Sequence, residues 1–339
     1  MYSFKNDYSE GAHPRILNAL IKSNMAQEEG YGNDDYTQKA ISKLKKIMGN
    51  QNIDIHLIPG GTQTNLIAIG AFLRPYEACI SADTGHIAVH ETGAIEYTGH
   101  KVITLDSEGG KISPQDIQEV LDFHVNEHLV KPKLVYISNP TELGTIYTKE
   151  EIKALNEFCS SKNLILYADG ARLGSVLCVQ EANLTLSDMC NLTDAFFIGG
   201  TKNGALLGEA LVIKNEELKQ DFRYHIKQKG ALLAKGRLLG IQFKELFEDN
   251  LYFQLANHAN EMANLLSEGL KEANCKFLIN SPTNQIFPIL ENEIIEKLEK
   301  KFSFYIWKKI DDNNSAIRLV TSWATKKEAV IEFINELKK

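Results

Sequence analysis

The chain has 339 residues, 43% of them hydrophobic and 24% charged, with a formal net charge of -7. That length suits one large and one smaller domain, and the acidic balance argues against nucleic acid or an anionic membrane as the main partner, leaving small molecules. The opening "MYSFKNDYSEGAHP" lacks the basic and apolar regions of a secretory signal, no run approaches a membrane span, and the five cysteines (79, 159, 178, 190 and 275) form no CxxC; a cytoplasmic protein without a disulfide or zinc framework is expected.

In chain order, "YTQKAISKLKKIMG" (36–49) spaces Ile41, Leu44, Ile47 and Met48 as a helix does, and Gly49 is a natural stop. "IDIHLI" predicts a strand, "PGG" a turn and "TQTNLIAIGAFL" a helix. The apolar runs "KVITL", "KLVYIS", "LILYADG" and "DAFFIGG" then alternate with helical stretches such as "SPQDIQEVLDFHVNEHL" and "TKEEIKALNEFCSSKN". This alternation predicts an α/β domain with a mostly parallel sheet covered on both faces. Beyond about residue 215 the pattern predicts helices over 216–229 and 236–272, strands in "QIFPIL", "FSFYIWKKI" and "AIRLVTSW", and a closing helix over 326–338. These elements suggest a small α+β domain with a largely antiparallel sheet. The expected division is a large domain over 12–250 and a small one over 251–339, with residues 1–11 packing on the small one.

Ligands of open α/β sheets gather at the carboxyl ends of the strands, and four polar signals fall there. In "PGGTQTN" (59–65) the glycines permit close approach, and the amides of Gly61 and Thr62 at a helix N-terminus suit a phosphate. In "LILYADGAR" Asp169 could keep a heteroaromatic ring nitrogen protonated and Arg172 could grip a carboxylate, or the two could simply form an ion pair. "FFIGGTKNGALLGEA" sets Lys202 directly after an apolar run, where desolvation favours a neutral amine able to form a Schiff base. Anion cradle, ring partner and amine together are what pyridoxal 5'-phosphate requires. In "TGHIAVHETGAIEYTGHKV", His86 could stack on a planar cofactor and move protons near neutral pH, whereas His90 and His100 read as packing or surface. One rival signal is "HVNEH", where His124, Glu127 and His128 have the H-x-x-E-H spacing of certain zinc peptidases without an evident third ligand.

These motifs, with "FKNDYSEGAHPRIL", "YGNDDYT", "NPTELGT" and "AIRLVTSWAT", resemble the low-specificity L-threonine aldolases and the related β-eliminating lyases over nearly the whole length. The resemblance implies an aspartate-aminotransferase-like (fold type I) pyridoxal phosphate enzyme that cleaves β-hydroxy-α-amino acids to glycine and an aldehyde, with β-elimination as the alternative on the same scaffold. It implies that Lys202 carries the cofactor as a Schiff base, Asp169 pairs with the ring nitrogen, and Gly61 and Thr62 hold the phosphate. His86 would stack on the ring with Glu91 nearby, and Arg172 and Arg318 would bind the substrate carboxylate. Asn6 stands where many members have a serine that touches substrate. It also implies a homodimer or homotetramer with shared sites, entered from the neighbour by Tyr31 and by one of Lys227, Lys229 or Arg237; no metal is expected.

Overall fold

The short apolar runs of the first two thirds of the chain pair into one sheet in a computed structural model that describes residues 1–339. The strands up to that point are β1 (Tyr2–Ser3), β2 (Asp54–Ile58), β3 (Glu77–Ala82), β4 (Val102–Leu105), β5 (Lys131–Ser138), β6 (Ile165–Asp169), β7 (Ala195–Gly199) and β8 (Glu209–Ile213). The seven-stranded sheet has the order β2-β8-β7-β6-β5-β3-β4, parallel from β4 to β7, with β8 antiparallel to both its neighbours. Every residue of β3, β6, β7 and β8 is buried, as strands covered on both faces must be. The sequence reading found five of the seven strands. It passed over β3 and β8 because "EACISA" and "EALVI" each open on a glutamate and carry small residues that dilute the apolar signal.

Along the strands successive side chains enter opposite cores. Leu166 and Ala168 of β6, with Phe196 and Ile198 of β7, join a cluster under the helices Asp35–Met48 and Lys149–Ser161. Ile165 and Tyr167, with Ala195 and Phe197, join the other, beneath the helix Gly61–Phe72. The covering helices start at side-chain caps: Asp34 accepts from the Thr37 amide at 2.8 Å, and Thr148 forms a reciprocal box with Glu151.

The remaining strands are β9 (Lys276–Phe277), β10 (Gln285–Ile286), β11 (Pro288–Glu291), β12 (Phe302–Ser303), β13 (Tyr305–Lys309) and β14 (Asn314–Val320). They form an antiparallel sheet in the order β10-β14-β11-β9, with β13 also on β14, while β12 pairs in parallel with β1. Phe4 enters a third core with Met262, Leu266, Phe302 and Phe333.

Three helix predictions need correction. The span 236–272 is two helices, Arg237–Leu246 and Leu251–Glu272, because Asp249 and Asn250 take left-handed backbone (φ 51° and 59°), which these two residue types tolerate best after glycine. The span 216–229 begins as a 3-10 turn and becomes α-helical only over Phe222–Gln228. The helix at 113–129 stops at Phe123, where the His124 ring bonds back to the Val120 carbonyl at 2.8 Å. "HVNEH" therefore has no helical turn to bring His124 and His128 together, and the zinc reading loses its geometry.

Candidate active site

The ends of β6 and β7 approach more closely than side chains allow. A Cβ on Gly170 would lie 1.9 Å from the Phe197 carbonyl oxygen and one on Gly199 2.2 Å from that of Ala171, so both positions require glycine. The reward is that Asp169, just before Gly170, and Lys202, three residues past Gly199, line one cavity of about 330 Å³. The alternation that sends Tyr167 toward the helix Gly61–Phe72 sends Asp169 the same way.

Three donors fix the Asp169 carboxylate. The Tyr136 hydroxyl reaches Oδ2 at 2.7 Å, the Asn65 amide reaches the same oxygen at 3.0 Å, and the Ala171 N–H reaches Oδ1 at 3.0 Å. Asn65 also donates to Glu91 Oε1 at 2.7 Å and accepts from the Tyr167 hydroxyl at 3.0 Å. Glu91 Oε1 lies 2.8 Å from His86 Nδ1, while Glu91 Oε2 is buried without a partner. Burial pushes the His86 pKa down, but the Glu91 hydrogen bond and the charges of Asp169 and Glu91 outweigh it, and the net direction is upward.

Around Lys202 the balance runs the other way. Burial lowers its pKa first, then the Arg172 charge, against Asp7, Asp169 and Glu209. Glu209 is buried beside it, with its oxygens taken by the Thr201 hydroxyl at 2.8 Å and the Gly200 N–H at 3.0 Å; burial raises its pKa. Arg172 does not pair with Asp169. It makes a two-pronged ion pair with Asp7, at 2.6 and 3.0 Å, and Asn284 donates to the same aspartate at 2.9 Å. Arg318 lies over the rings of Tyr305 and Trp307, 5.4 and 5.0 Å from their centroids, and its buried Nε has no acceptor. Burial and then Arg172 lower its pKa, which marks a place where two cations repel and an anion would be welcome.

The cavity thus brings together Gly61, Thr62, His86, Asp169, Arg172 and Lys202. Asn6 is outside its lining, and its side-chain oxygen accepts from the Tyr8 amide and the Ser9 hydroxyl, each at 3.0 Å. Tyr31 faces a different cleft, 43% exposed, with Lys227 Nζ 4.5 Å from its ring centroid. Arg237 is spent on the backbone carbonyls of Ala26 and Asn24. Lys229 has its own carbonyl bound by the Gln63 side chain at 3.0 Å, beside the glycine turn. Sequence reasoning missed Asn65, Tyr136, Glu142, Glu209 and the role of Asp7. A carboxylate opening a buried strand, as Glu209 does, and an amide one turn past "GGT", as Asn65 is, were the available signals.

The chemistry of this donor set fits the cofactor expected from the sequence. Gly60 has ordinary extended backbone (φ -162°), and a Cβ there would meet nothing within 4 Å. Neither backbone nor packing requires glycine, and its absent side chain leaves room at the helix N-terminus, where an anion is favoured. With a buried carboxylate and a lysine of lowered pKa lining the same cavity, there are residues for the phosphate, the ring nitrogen and the aldehyde of a phosphorylated pyridine aldehyde.

Comparison with known proteins points the same way. The sequence profile of the β-eliminating lyases matches residues 8–293. The chain belongs to the β-eliminating lyase family. Within reach of this family, the low specificity L-threonine aldolase of Pseudomonas sp. (strain NCIMB 10558) is 31% identical over 99% of this chain and 96% of its own length. Its namesake from Pseudomonas aeruginosa is 29% identical over the same shares. Among solved structures, the threonine aldolase of Leishmania major superposes with a TM-score of 0.99 at 48% identity, covering 100% of this chain and 99% of that one. An aspartate aminotransferase from Thermus thermophilus, 14% identical, superposes with a TM-score of 0.74 over 100% of this chain and 91% of its own, which establishes the aspartate-aminotransferase-like fold. No helix is long and apolar enough to cross a membrane.

Proposed function

We propose that this lyase-family chain is a pyridoxal 5'-phosphate-dependent aldolase that cleaves L-threonine, L-allo-threonine and related β-hydroxy-α-amino acids to glycine and an aldehyde. The observation that carries the reading is the convergence of a depressed lysine, a triply bonded aspartate and an open glycine turn on one cavity. The cofactor, when bound, supplies an electron sink for the pair released at Cα. Lys202 is the amine that would hold it. Asp169 would face the ring nitrogen, and its three donors keep it aimed. Gly61 and Thr62 receive the phosphate, and His86 covers the ring face.

Arg172 and Arg318 would bind the substrate carboxylate and so orient the bonds at Cα. Asp7 keeps Arg172 in place for this. The β-hydroxyl proton needs an acceptor, and His86 and Glu142 are the two candidates on the cavity wall. Asn6, with its oxygen committed to its own turn, serves by shaping the segment that presents Asp7. The active unit is a cytoplasmic homodimer or homotetramer, because Tyr31, Lys227 and Lys229 have no task in their own cavity and offer an aromatic and two cations to a neighbour. We also take 12–250 as the large domain and 251–339, with 1–11, as the small one; the separate core around Phe4 and Phe333 supports this.

The test is product analysis. Purified protein with cofactor should release glycine and acetaldehyde from either threonine isomer and little pyruvate from serine or cysteine. Pyruvate and ammonia as main products, without aldehyde from threonine, would establish β-elimination instead.

A further inference from the structure

Four carboxylates line the cavity, with Asp7 behind Arg172, and only Glu142 keeps an oxygen that is both unbonded and not buried. Asp169 is held by three donors, and Asp7 by Arg172 and Asn284. Both oxygens of Glu209 are bonded, and Glu91 has no exposed side-chain surface. Glu142 differs. Its Oε1 takes the Ser138 hydroxyl at 2.7 Å and the His86 backbone N–H at 2.9 Å, and its other oxygen is left to the cavity it lines. Ser138 is itself placed by register: it ends β5 opposite Asp169 of β6. Its hydroxyl lies 3.1 Å from that of Tyr136, which donates to Asp169. With the one Ser138 proton given to Glu142 and the one Tyr136 proton given to Asp169, the two hydroxyls are neighbours, and the register brings Glu142 and the ring-nitrogen partner to the same stretch of wall.

On the aldolase reading, we propose that Glu142 is the base that takes the β-hydroxyl proton during carbon–carbon cleavage, with Ser138 as its positioning residue. His86 and Glu142 line the same cavity, and Glu142 is bonded to the backbone of His86, the residue that would cover the ring. In the step, the substrate O–H bond breaks and its proton passes to the free oxygen of Glu142. The oxygen pair forms the aldehyde C=O bond, and the Cα–Cβ pair stays with Cα, which is later protonated to glycine. His86 is the weaker candidate: its Nδ1 is engaged by Glu91, and its raised pKa keeps the ring doubly protonated, without a lone pair, over a wider pH range. For Glu142, burial raises the pKa above the ordinary 4.5, the Ser138 bond opposes this, Asp169 raises it and His86 lowers it. Arg172, Tyr136 and Tyr147 also feel its charge. A carboxylate with a raised pKa is a better base near neutrality.

The experiment compares wild type with Glu142→Gln, Glu142→Asp, Ser138→Ala and His86→Phe as holoenzymes. Glu142→Gln should lower kcat for threonine cleavage by roughly 10²- to 10⁴-fold and abolish the acid limb of the pH profile. It should leave exchange of the glycine α-proton, which involves no hydroxyl, within about threefold of wild type. Glu142→Asp should restore part of the loss. Ser138→Ala should move the acid limb to higher pH, because the lost bond favoured the ionised form, and His86→Phe should keep that limb. Infrared difference titration of the apoprotein, wild type minus Glu142→Gln, should show one carboxylic acid that ionises above pH 4.5. A Glu142→Gln variant that retains cleavage and the acid limb, or that loses glycine exchange in step with cleavage, would overturn the assignment, as would absence of the infrared band. Failure of the aldolase reading is distinct: wild type itself would then give no aldehyde.

Discussion

Asp7→Asn isolates the contribution of one buried charge. Asp7 is 1% exposed, and Arg172, its partner, is fixed by two bonds of 2.6 and 3.0 Å. Asparagine keeps the volume, so the change removes charge and turns one acceptor into a donor facing other donors. Breaking a buried pair on one side costs about 3–5 kcal/mol, chiefly from the cation left uncompensated. With an unfolding entropy of about 2.1 cal/mol/K per residue, that loss corresponds to a melting temperature lower by about 4–7 °C for this chain. Scanning calorimetry with matched denaturant titrations measures it. A Asp7→Asn/Arg172→Met double variant should lose less than the sum of the two singles, because it removes both charges.

The pH dependence has a definite sign. Burial works to raise the Asp7 pKa, but Arg172 and Lys202 outweigh it, so the folded value lies below the ordinary 3.8. Its stabilisation is complete above the unfolded value and is lost as pH falls through the folded one. The variant should therefore lose stability less steeply in strong acid than wild type does. KM for threonine should rise as Arg172 loses its aim. A destabilisation under about 1 kcal/mol, or additive single and double variants, would refute the claim that this pair is structurally coupled.

Lys202→Ala should stay folded but lose turnover and the borohydride-reducible link to the cofactor; a reduced adduct mapped by mass spectrometry to Lys227 or Lys229 would contradict the assignment. Mixing Lys202→Ala with a Tyr31→Ala chain should give partial activity in hybrids, since one of the two sites would then hold both residues; hybrids with none would count against shared sites.

The chemistry-bearing ends of β6 and β7 were legible because "LILYADG" and "DAFFIGG" are long apolar runs that stop at glycines, and those glycines are where the backbones touch. The residues that tune the site were not. Asp7 reads as one more polar residue in "FKNDYSEG" until the fold carries it to Arg172, and Glu142 is one of several polar positions in "NPTELGT" until Ser138 and the His86 amide take one of its oxygens. Asn65 and Tyr136 lie inside a helix and a strand, and only the fold brings both to the Asp169 carboxylate. The break at Asp249 and Asn250 escaped for the opposite reason: both sides are helical, and only the left-handed backbone between them separates one helix from two.

The Asp7 contact also sets a clock. Its partners lie 165 and 277 residues further along the chain. At ribosomal rates of roughly 5–20 residues per second, Asp7 emerges about 14–55 s before Asn284 does. The strands of the large sheet can pair during that interval, but Tyr2 must wait still longer for Phe302. Such long-range closure is the slow part of folding. A nascent chain therefore carries Asp7 without its counter-charge until Arg172 follows 165 residues later, and without Asn284 for longer still, which favours keeping that carboxylate hydrated and the cavity open. Cofactor supplied to ribosome-bound chains should be retained only when the last hundred or so residues have cleared the exit tunnel, so that synthesis rather than cofactor abundance times the assembly of the site.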